Sequence, residues 1–513
     1  MRTSTAALLL ALCPLPLGAQ APLSAIDWLE AQAATPQLAR PATPRSEPPV
    51  AQTALVPEVE TMPLGAPTSE AAGLLPMQVT GLPLSLWQAS ESATLIDLIG
   101  AVDPAVPALN ALLHTLLLAE ANPPKGPRKG APLLAARLDR LLAQGVVDPA
   151  EALVERANAR TAELFPIWFD IALLTGREDE PCAALMERPS LSRDLSARVF
   201  CSARTGRYDV AVTTLETGRA LGTLVGRDVT LLTQFLDPVL SENSAPPRAP
   251  VRPTPLQFRL FEAIGEPLST AALPRAFANV DLGGDSGWKA QLEAAERLAR
   301  VGAISENRLL GIYSLQRRAA SGGVWDRVEA VQAFEAALDR PQTGAVGPAL
   351  QKVWPQMTNA GLLLPFARLF GPRLEGLELD GRAAVMAARA QLLSEDYEAA
   401  AAALSSDAPE VTFLRAIAAG NAPDPVPAAL PHARAVAAAF DDAAPPAELS
   451  AQLDEGRLGE VILRAIALFS SGAAGNPTDL TDALATLRAV GLEDTARRAA
   501  LQLVILDQEG ARR

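Results

Sequence analysis

The amino-acid sequence predicts an all-α protein, an irregular α-solenoid of helical hairpins that is preceded by a disordered Pro-rich segment. Of the 513 residues, 49% are hydrophobic and only 4% are aromatic. Ala and Leu carry most of the apolar share, and both residues favour helices over strands. From about Ser90 onward the apolar residues recur with helical spacing, and no alternating strand pattern appears.

Residues 1–21 are predicted to be a secretory signal peptide. Arg2 precedes an apolar run over residues 6–12, and prolines and small residues then lead to a cleavage point after Ala19 or Ala21. This run is too short to cross a bilayer, and no later stretch reaches about 18 uninterrupted apolar residues. We therefore expect a periplasmic protein without a transmembrane segment.

Composition divides the rest of the chain into five segments. They are a short amphipathic helix (22–34), a Pro-rich disordered tether (35–87), an N-terminal helical lobe (88–244), a Pro-rich linker (245–256) and a C-terminal helical-repeat lobe (257–513). Residues 25–33 of the first segment are a candidate docking helix, because nine residues are too few for a stable isolated helix and yet Ile26, Trp28 and Leu29 are large and apolar. The apolar face of this helix would bind either a partner or the protein's own helical body. The alternative is a frayed terminus without a role.

Two helices after the tether are predicted with their buried faces. In residues 457–470 the apolar positions follow helical spacing and form one stripe. In residues 287–301 an apolar stripe is accompanied by Glu293 with Arg297 and by Glu296 with Arg300, which we expect to be exposed ion pairs.

One type of connection between helices recurs three times. A Leu is followed four residues later by Gly and then, three residues on, by a polar residue that can cap the next helix. The copies are Leu141, Gly145 and Asp148; Leu298, Gly302 and Ser305; and Leu487, Gly491 and Asp494. Glycine provides the left-handed residue that ends a helix, and the polar oxygen accepts hydrogen bonds from the first amides of the next.

A second recurrence combines an aromatic residue after a turn with a small residue in the following helix. Its copies are Thr205, Tyr208, Asp209, Ala211 and Leu215, and Ser394, Tyr397, Glu398, Ala400 and Leu404. This pattern resembles tetratricopeptide-like repeats. The resemblance implies that Tyr208 and Tyr397 pack on the preceding helix, and that Ala211 and Ala400 permit close helix contact. Because no tandem 34-residue period is present, it implies an irregular α-solenoid.

Two cysteines remain once the signal peptide and Cys13 are removed. Cys182 and Cys201 are 19 positions apart, and in an oxidising compartment they are expected to form a disulfide. Closing so short a loop contributes about 3 kcal/mol in the chain-entropy model. The alternative is two buried free thiols.

No catalytic, cofactor or metal site can be assembled from the sequence. The only histidines are His114 and His432, and both lie in apolar or Ala-rich helical sequence. Two histidines and two distant cysteines do not match the ligand spacing of a zinc site. The formal net charge of -14 argues against nucleic acid as the main ligand. One compact basic cluster, Lys125, Arg128 and Lys129, is a weaker candidate for binding anionic glycan or lipid head groups.

We therefore expect a periplasmic helical-repeat scaffold that binds a protein partner, as an accessory of an envelope machine such as the flagellar motor. The protein is not expected to be an enzyme or to need a cofactor. The alternative is a peptidoglycan-active enzyme similar to lytic transglycosylases, or its regulatory subunit. Glu91 followed by Ser92 is the only match to the catalytic dipeptide of that family.

Overall fold

The computed structural model describes residues 69–510 except 127–129, 159, 284, 319, 342–343 and 405–407. In this part of the chain the regular elements are α-helices and short 3-10 helices, and extended pairing is limited to two isolated β-bridges. The prediction of an all-α protein is therefore confirmed. The predicted signal peptide, the candidate docking helix and residues 35–68 of the predicted tether lie outside the described residues.

The helices are numbered in chain order. The first thirteen are α1 (Met77–Thr80), α2 (Ser92–Ala101), α3 (Pro107–Leu118), α4 (Pro132–Gln144), α5 (Val147–Arg156), α6 (Phe165–Thr175), α7 (Asp179–Glu187), α8 (Leu195–Arg204), α9 (Tyr208–Ala220), α10 (Arg227–Leu236), α11 (Pro238–Asn243), α12 (Pro255–Ala263) and α13 (Ala278–Asp281). The others are α14 (Trp288–Ala299), α15 (Glu306–Ser314), α16 (Val324–Leu338), α17 (Val346–Asn359), α18 (Leu363–Phe370), α19 (Gly381–Leu392), α20 (Tyr397–Ala403), α21 (Pro409–Ala418), α22 (Ala433–Phe440), α23 (Ala447–Asp454), α24 (Leu458–Ala473), α25 (Pro477–Ala489) and α26 (Glu493–Gln508).

Helices that follow one another usually pack together, and the recurrent connection explains how. In all three copies the glycine has a positive φ, between 69° and 84°. The amide that follows each glycine donates to the carbonyl of the leucine: Val146 to Leu141, Ala303 to Leu298 and Leu492 to Leu487. These are the hydrogen bonds of a Schellman-type helix end, so the glycine prediction is confirmed.

The capping residues of the same three connections differ from one another. Ser305 caps α15, and its hydroxyl accepts a hydrogen bond from the amide of Arg308. Asp148 and Asp494 lie instead inside the first turns of α5 and α26. Their carboxylates interact favourably with the helix dipole from that position, without serving as N-caps.

Helices α7 to α11 form a side lobe, which begins after α6 and ends where α12 returns to the main body of helices. Helices α7, α8, α9 and α10 pack in succession, and α12 then contacts both α10 and α6. Arg259 of α12 donates to the carbonyl of Leu173 in α6 at 2.6 Å. The predicted linker, residues 245–256, follows α11, and α12, which contacts α10, already begins within it at Pro255.

The last helices of the chain pack on the first. Helix α26 contacts α3, and α24 contacts both α2 and α3. The Ala108 amide donates to Gln502 Oε1 at 2.7 Å, and the Ser470 hydroxyl donates to the Asp103 carbonyl at 2.7 Å. In a solenoid each repeat contacts only its neighbours. The described helices instead form a circuit whose two ends are joined.

The closing contact involves residues that the sequence placed in the tether. Residues 69–87 pack on the helical body, and Leu86 and Trp87 are each 1% exposed. The Gly459 amide of α24 donates to the Leu86 carbonyl at 3.0 Å. Proline content predicted a disordered segment up to residue 87, whereas burial of these large apolar side chains favours packing for its last part.

The contact between Gly459 and Trp87 leads to a prediction with a matched control. A Cβ atom at residue 459 would lie 2.3 Å from the indole and 2.8 Å from the Leu86 carbonyl oxygen. We expect Gly459→Ala to reduce the free energy of unfolding by about 2 kcal/mol, as overpacking does. Gly311 of α15 is exposed and has open space around it, so Gly311→Ala is expected to stabilise by about 0.5 to 1 kcal/mol. Denaturant titration followed by circular dichroism measures both; equal effects would contradict the packing argument.

Candidate functional site

A cavity of about 940 Å³ lies where the circuit of helices closes. Its walls come from the residues before α3 and the first turns of that helix, from the end of α14 through the start of α15, from the start of α18 and from the end of α24. The cavity therefore depends on tertiary contacts between segments that are distant in sequence.

Four arginines line this cavity. Arg275 lies on a 3-10 turn that packs on α4, Arg297 is in the last turn of α14, Arg300 follows that helix, and Arg368 is in α18. The cavity also contains two carboxylates. Asp103 is 97% exposed and lies 3.9 Å from Arg140, whereas Glu306 is paired with Arg368 at 2.8 Å. Positive charge is therefore in excess.

The arginines are positioned mainly by neutral oxygens. Arg275 donates to Gln144 Oε1 at 3.2 Å. Arg297 donates to the carbonyls of Thr270 and Leu273, and Arg300 donates to the Ala360 carbonyl at 2.6 Å. Carbonyl and amide oxygens orient a guanidinium without neutralising its charge. Within the described part of the chain, neither Arg275 nor Arg297 forms an ion pair.

The electrostatic effect of this clustering appears in the pKa values. Burial and the neighbouring charges of Arg275 and Arg300 lower the pKa of Arg297. Burial lowers the pKa of Arg275 as well, Asp103 partly offsets this effect, and Arg300 adds to it. Burial and mutual repulsion therefore both act against these charges, and Asp103 compensates them only in part.

His114 of α3 forms part of the same wall. Burial, with smaller contributions from Arg140 and Arg275, lowers the pKa of His114 to about 4. The side chain is therefore neutral at pH 7. Its Nε2 atom is buried and has no hydrogen-bond partner among the described residues. The sequence indicated a packed helix residue here, and the structure adds that this residue borders the cavity.

A second candidate surface lies on the side lobe. Tyr208 of α9 donates a hydrogen bond to the Leu236 carbonyl at the end of α10, so it lies beside the start of α11. Val212 is one turn further along α9, and Val239 and Leu240 are in α11. All four side chains are at least one-third exposed. We call Tyr208, Val212, Val239 and Leu240 the apolar edge.

The predicted disulfide is confirmed. Cys182 of α7 and Cys201 of α8 are bonded, with their Cα atoms 4.8 Å apart, and both are buried. Helix α8 packs directly on α9, which carries half of the apolar edge. The disulfide therefore lies in the helices that support this surface.

The two copies of the aromatic motif are packed differently. Tyr397 is 1% exposed and its hydroxyl donates to Asp494 at 3.0 Å, whereas Tyr208 is 50% exposed. Ala211 is fully buried, whereas Ala400 is only partly buried. The difference arises because α26 covers Tyr397, whereas Tyr208 lies in the side lobe near the short helix α11.

The other candidate residues lie apart from the cavity. Glu91 is exposed at the N-terminal end of α2 and forms an isolated β-bridge with Lys125. Arg128 and Lys129, like the candidate docking residues Ile26, Trp28 and Leu29, lie outside the described residues. His432 pairs with Asp507 at 3.1 Å.

Within the part of the chain that the structure describes, no helix is both long and apolar enough to cross a membrane. Among the same residues, no group of three or more His, Cys, Asp or Glu side chains is arranged to hold a metal ion.

Sequence reasoning missed the arginine cluster. Arg297 and Arg300 were expected in exposed ion pairs with Glu293 and Glu296. Glu293 instead lies 3.5 Å from Lys289, and Glu296 is 2% exposed. Both Arg327 and Tyr313 bind Glu296, which leaves only a long contact of 3.8 Å to Arg300. Helical spacing cannot distinguish a solvated arginine from one facing a cavity.

Comparisons with protein-family models, with curated proteins and with solved structures each found no match.

Proposed function

We propose that this protein is an exported, non-catalytic helical scaffold of the cell envelope, and that it binds a protein partner through the apolar edge of its side lobe. The observation that carries the proposal is the exposure of Tyr208 and Val212 on α9 and of Val239 and Leu240 on α11, with the Tyr208 hydroxyl hydrogen-bonded to the carbonyl two residues before α11. Clustered exposed apolar residues are typical of interaction surfaces. A machine such as the flagellar motor remains the proposed context.

The helices that pack beneath the apolar edge are held together covalently, which favours a preformed binding surface. The disulfide joins α7 to α8, and Arg204 of α8 lies 3.2 Å from Glu178 and 3.1 Å from Asp179. These ion pairs are partly exposed and contribute little, so the covalent bond is the main constraint. A rigid support keeps apolar side chains exposed, and it reduces the entropy lost on binding. A disulfide is also typical of exported proteins.

Charge around the edge indicates the chemistry of the partner. Asp209, Asp237 and Glu242 are exposed beside the apolar residues, and Arg207 is the exposed basic residue next to them. Acidic residues around an apolar centre favour a partner with complementary charge. We therefore propose a protein segment that presents apolar side chains flanked by Lys or Arg.

The test compares two double variants. Val212→Ser with Val239→Ser removes the centre of the edge, and we expect at least tenfold weaker binding because apolar anchors dominate interface energies. Val385→Ser with Val426→Ser changes exposed valines elsewhere and should bind like the wild type. A photo-crosslinking residue at position 212 identifies the partner in the envelope. Binding of the purified partner is then measured by calorimetry, at low and high salt.

Three results would contradict the proposal. Equal binding by both double variants would exclude the apolar edge, and binding that strengthens with salt would exclude a basic partner. Crosslinks only between copies of this chain would make the edge a self-association surface. Separately, peptidoglycan lysis by the wild type that Glu91→Gln abolishes would favour the wall-hydrolase alternative.

A further inference from the structure

We propose that the cavity at the closure of the helical circuit binds a small organic anion, whose phosphate or carboxylate group lies against Arg275, Arg297 and Arg300. This site is separate from the apolar edge. The first argument is charge. Of the carboxylates in the cavity, Glu306 is paired with Arg368 and Asp103 is almost fully exposed. Glu296 lies 3.8 Å from Arg300 but binds Arg327 more closely, at 2.6 Å. Within the described part of the chain, Arg275 and Arg297 therefore have no ion-pair partner.

The second argument is the energetic cost of the arrangement. Like charges held together in a partly buried site repel one another, and burial removes much of their hydration. A fold that needed only structural contacts at these positions could use neutral side chains. An oxyanion offers the missing compensation, because each guanidinium presents several N–H donors in a planar fork that matches phosphate and carboxylate groups.

Unused donors are available for such a ligand. Arg275 has five N–H groups, of which one donates to Gln144. The hydrogen bonds to the carbonyls of Thr270, Leu273 and Ala360 hold Arg297 and Arg300 in place before a ligand arrives. Preorganised donors favour binding because little side-chain entropy remains to be lost.

The third argument concerns the rest of the ligand. The volume of about 940 Å³ suits a small molecule and is too small for a folded protein domain. Val301, Ile304 and Leu363 contribute apolar wall, which favours an organic body over an inorganic ion. His114 adds a neutral ring to the same wall.

Calorimetry with chosen probes tests the proposal. The probes are phenyl phosphate, phenylacetate and inorganic phosphate, with phenol as the uncharged counterpart, all at constant ionic strength. We expect saturable binding of phenyl phosphate or phenylacetate, weaker binding of inorganic phosphate and none of phenol. The stronger of the first two identifies the acid group. No binding of either organic anion, or equal binding of phenol, would overturn the proposal.

Variants locate the site. Arg275→Gln and Arg297→Gln are each expected to weaken binding at least tenfold, whereas Arg219→Gln, an exposed arginine 3.9 Å from Glu216, should bind like the wild type. Arg275→Gln is also expected to raise the melting temperature of the ligand-free protein at low ionic strength, because it relieves repulsion. Wild-type affinity in both cavity variants would place any binding elsewhere and overturn the assignment.

A labelling experiment keeps the test valid if Arg297→Gln does not fold. Phenylglyoxal modifies accessible arginines of the wild-type protein, and mass spectrometry locates each modification. The bound probe should slow labelling of Arg275 and leave labelling of Arg219 unchanged. Equal rates with and without the probe would contradict the proposed site.

Discussion

Replacing Arg137 with Leu is expected to lower the free energy of unfolding by about 3 to 5 kcal/mol. Arg137 is fully buried, and its guanidinium donates to the carbonyls of Leu117, Ala72 and Ala119 at 2.7, 2.8 and 3.1 Å. Leucine fills part of the space but leaves three buried carbonyls without these donors. Buried acceptors that lose their partners are costly because water cannot reach them.

The electrostatics of Arg137 indicate which substitution is the best control. Burial lowers the pKa of Arg137 to about 10, and the Glu70 carboxylate opposes that shift. The side chain is therefore charged at pH 7. Arg137→Lys keeps the charge but cannot reach three carbonyls in a planar fork, so we expect an intermediate loss of stability. Arg219→Leu, at an exposed position, should change stability by less than about 0.5 kcal/mol.

Hydrogen exchange identifies where the loss occurs. Residues 69–75 are joined to the end of α3 through Arg137 and through the amides of Leu74 and Leu75, which donate to the Leu118 carbonyl. We expect amides in this segment to exchange first in Arg137→Leu. Unchanged unfolding free energy, with wild-type exchange in residues 69–75, would show that the three hydrogen bonds contribute little.

Removing the disulfide is expected to have the second largest effect. The Cys182→Ala, Cys201→Ala variant should unfold with a free energy about 3 kcal/mol lower, because the unfolded chain regains the freedom that the 19-residue loop closure removes. Reduction of the wild-type protein should produce a similar change. Ala at both positions also leaves small cavities, so the reduced wild type is the cleaner measurement.

The location of this effect distinguishes local from global destabilisation. The side lobe contacts the rest of the circuit mainly through α6 and α12. We therefore expect faster hydrogen exchange in α7, α8 and α9 and nearly unchanged exchange from α14 onward. Partner binding through the apolar edge should weaken at the same time. Uniformly faster exchange across the chain would show that the lobe does not unfold independently.

The amino-acid sequence by itself determined the local structure. Apolar spacing identified the helix that the structure places at Leu458–Ala473, with Val461, Ile462, Ala465 and Phe469 buried. The recurrent Leu and Gly identified three helix ends. Two cysteines 19 residues apart identified the disulfide. Each of these features depends on neighbouring residues or on a small choice of partners, so sequence spacing contains the necessary information.

Only the tertiary structure decided which distant residues meet. Helix α26 packs on α3, Trp87 packs on Gly459, and Arg275 joins Arg297 and Arg300 around one cavity. In the sequence, Arg297 and Arg300 have the spacing of residues on an exposed helix face. The Pro-rich composition before Trp87 predicted disorder and gave no indication that this side chain is buried. Closure of the circuit depends on many weak contacts between segments that are far apart in the chain. Helical periodicity specifies which face of a helix is apolar, but it does not specify which other helix covers that face.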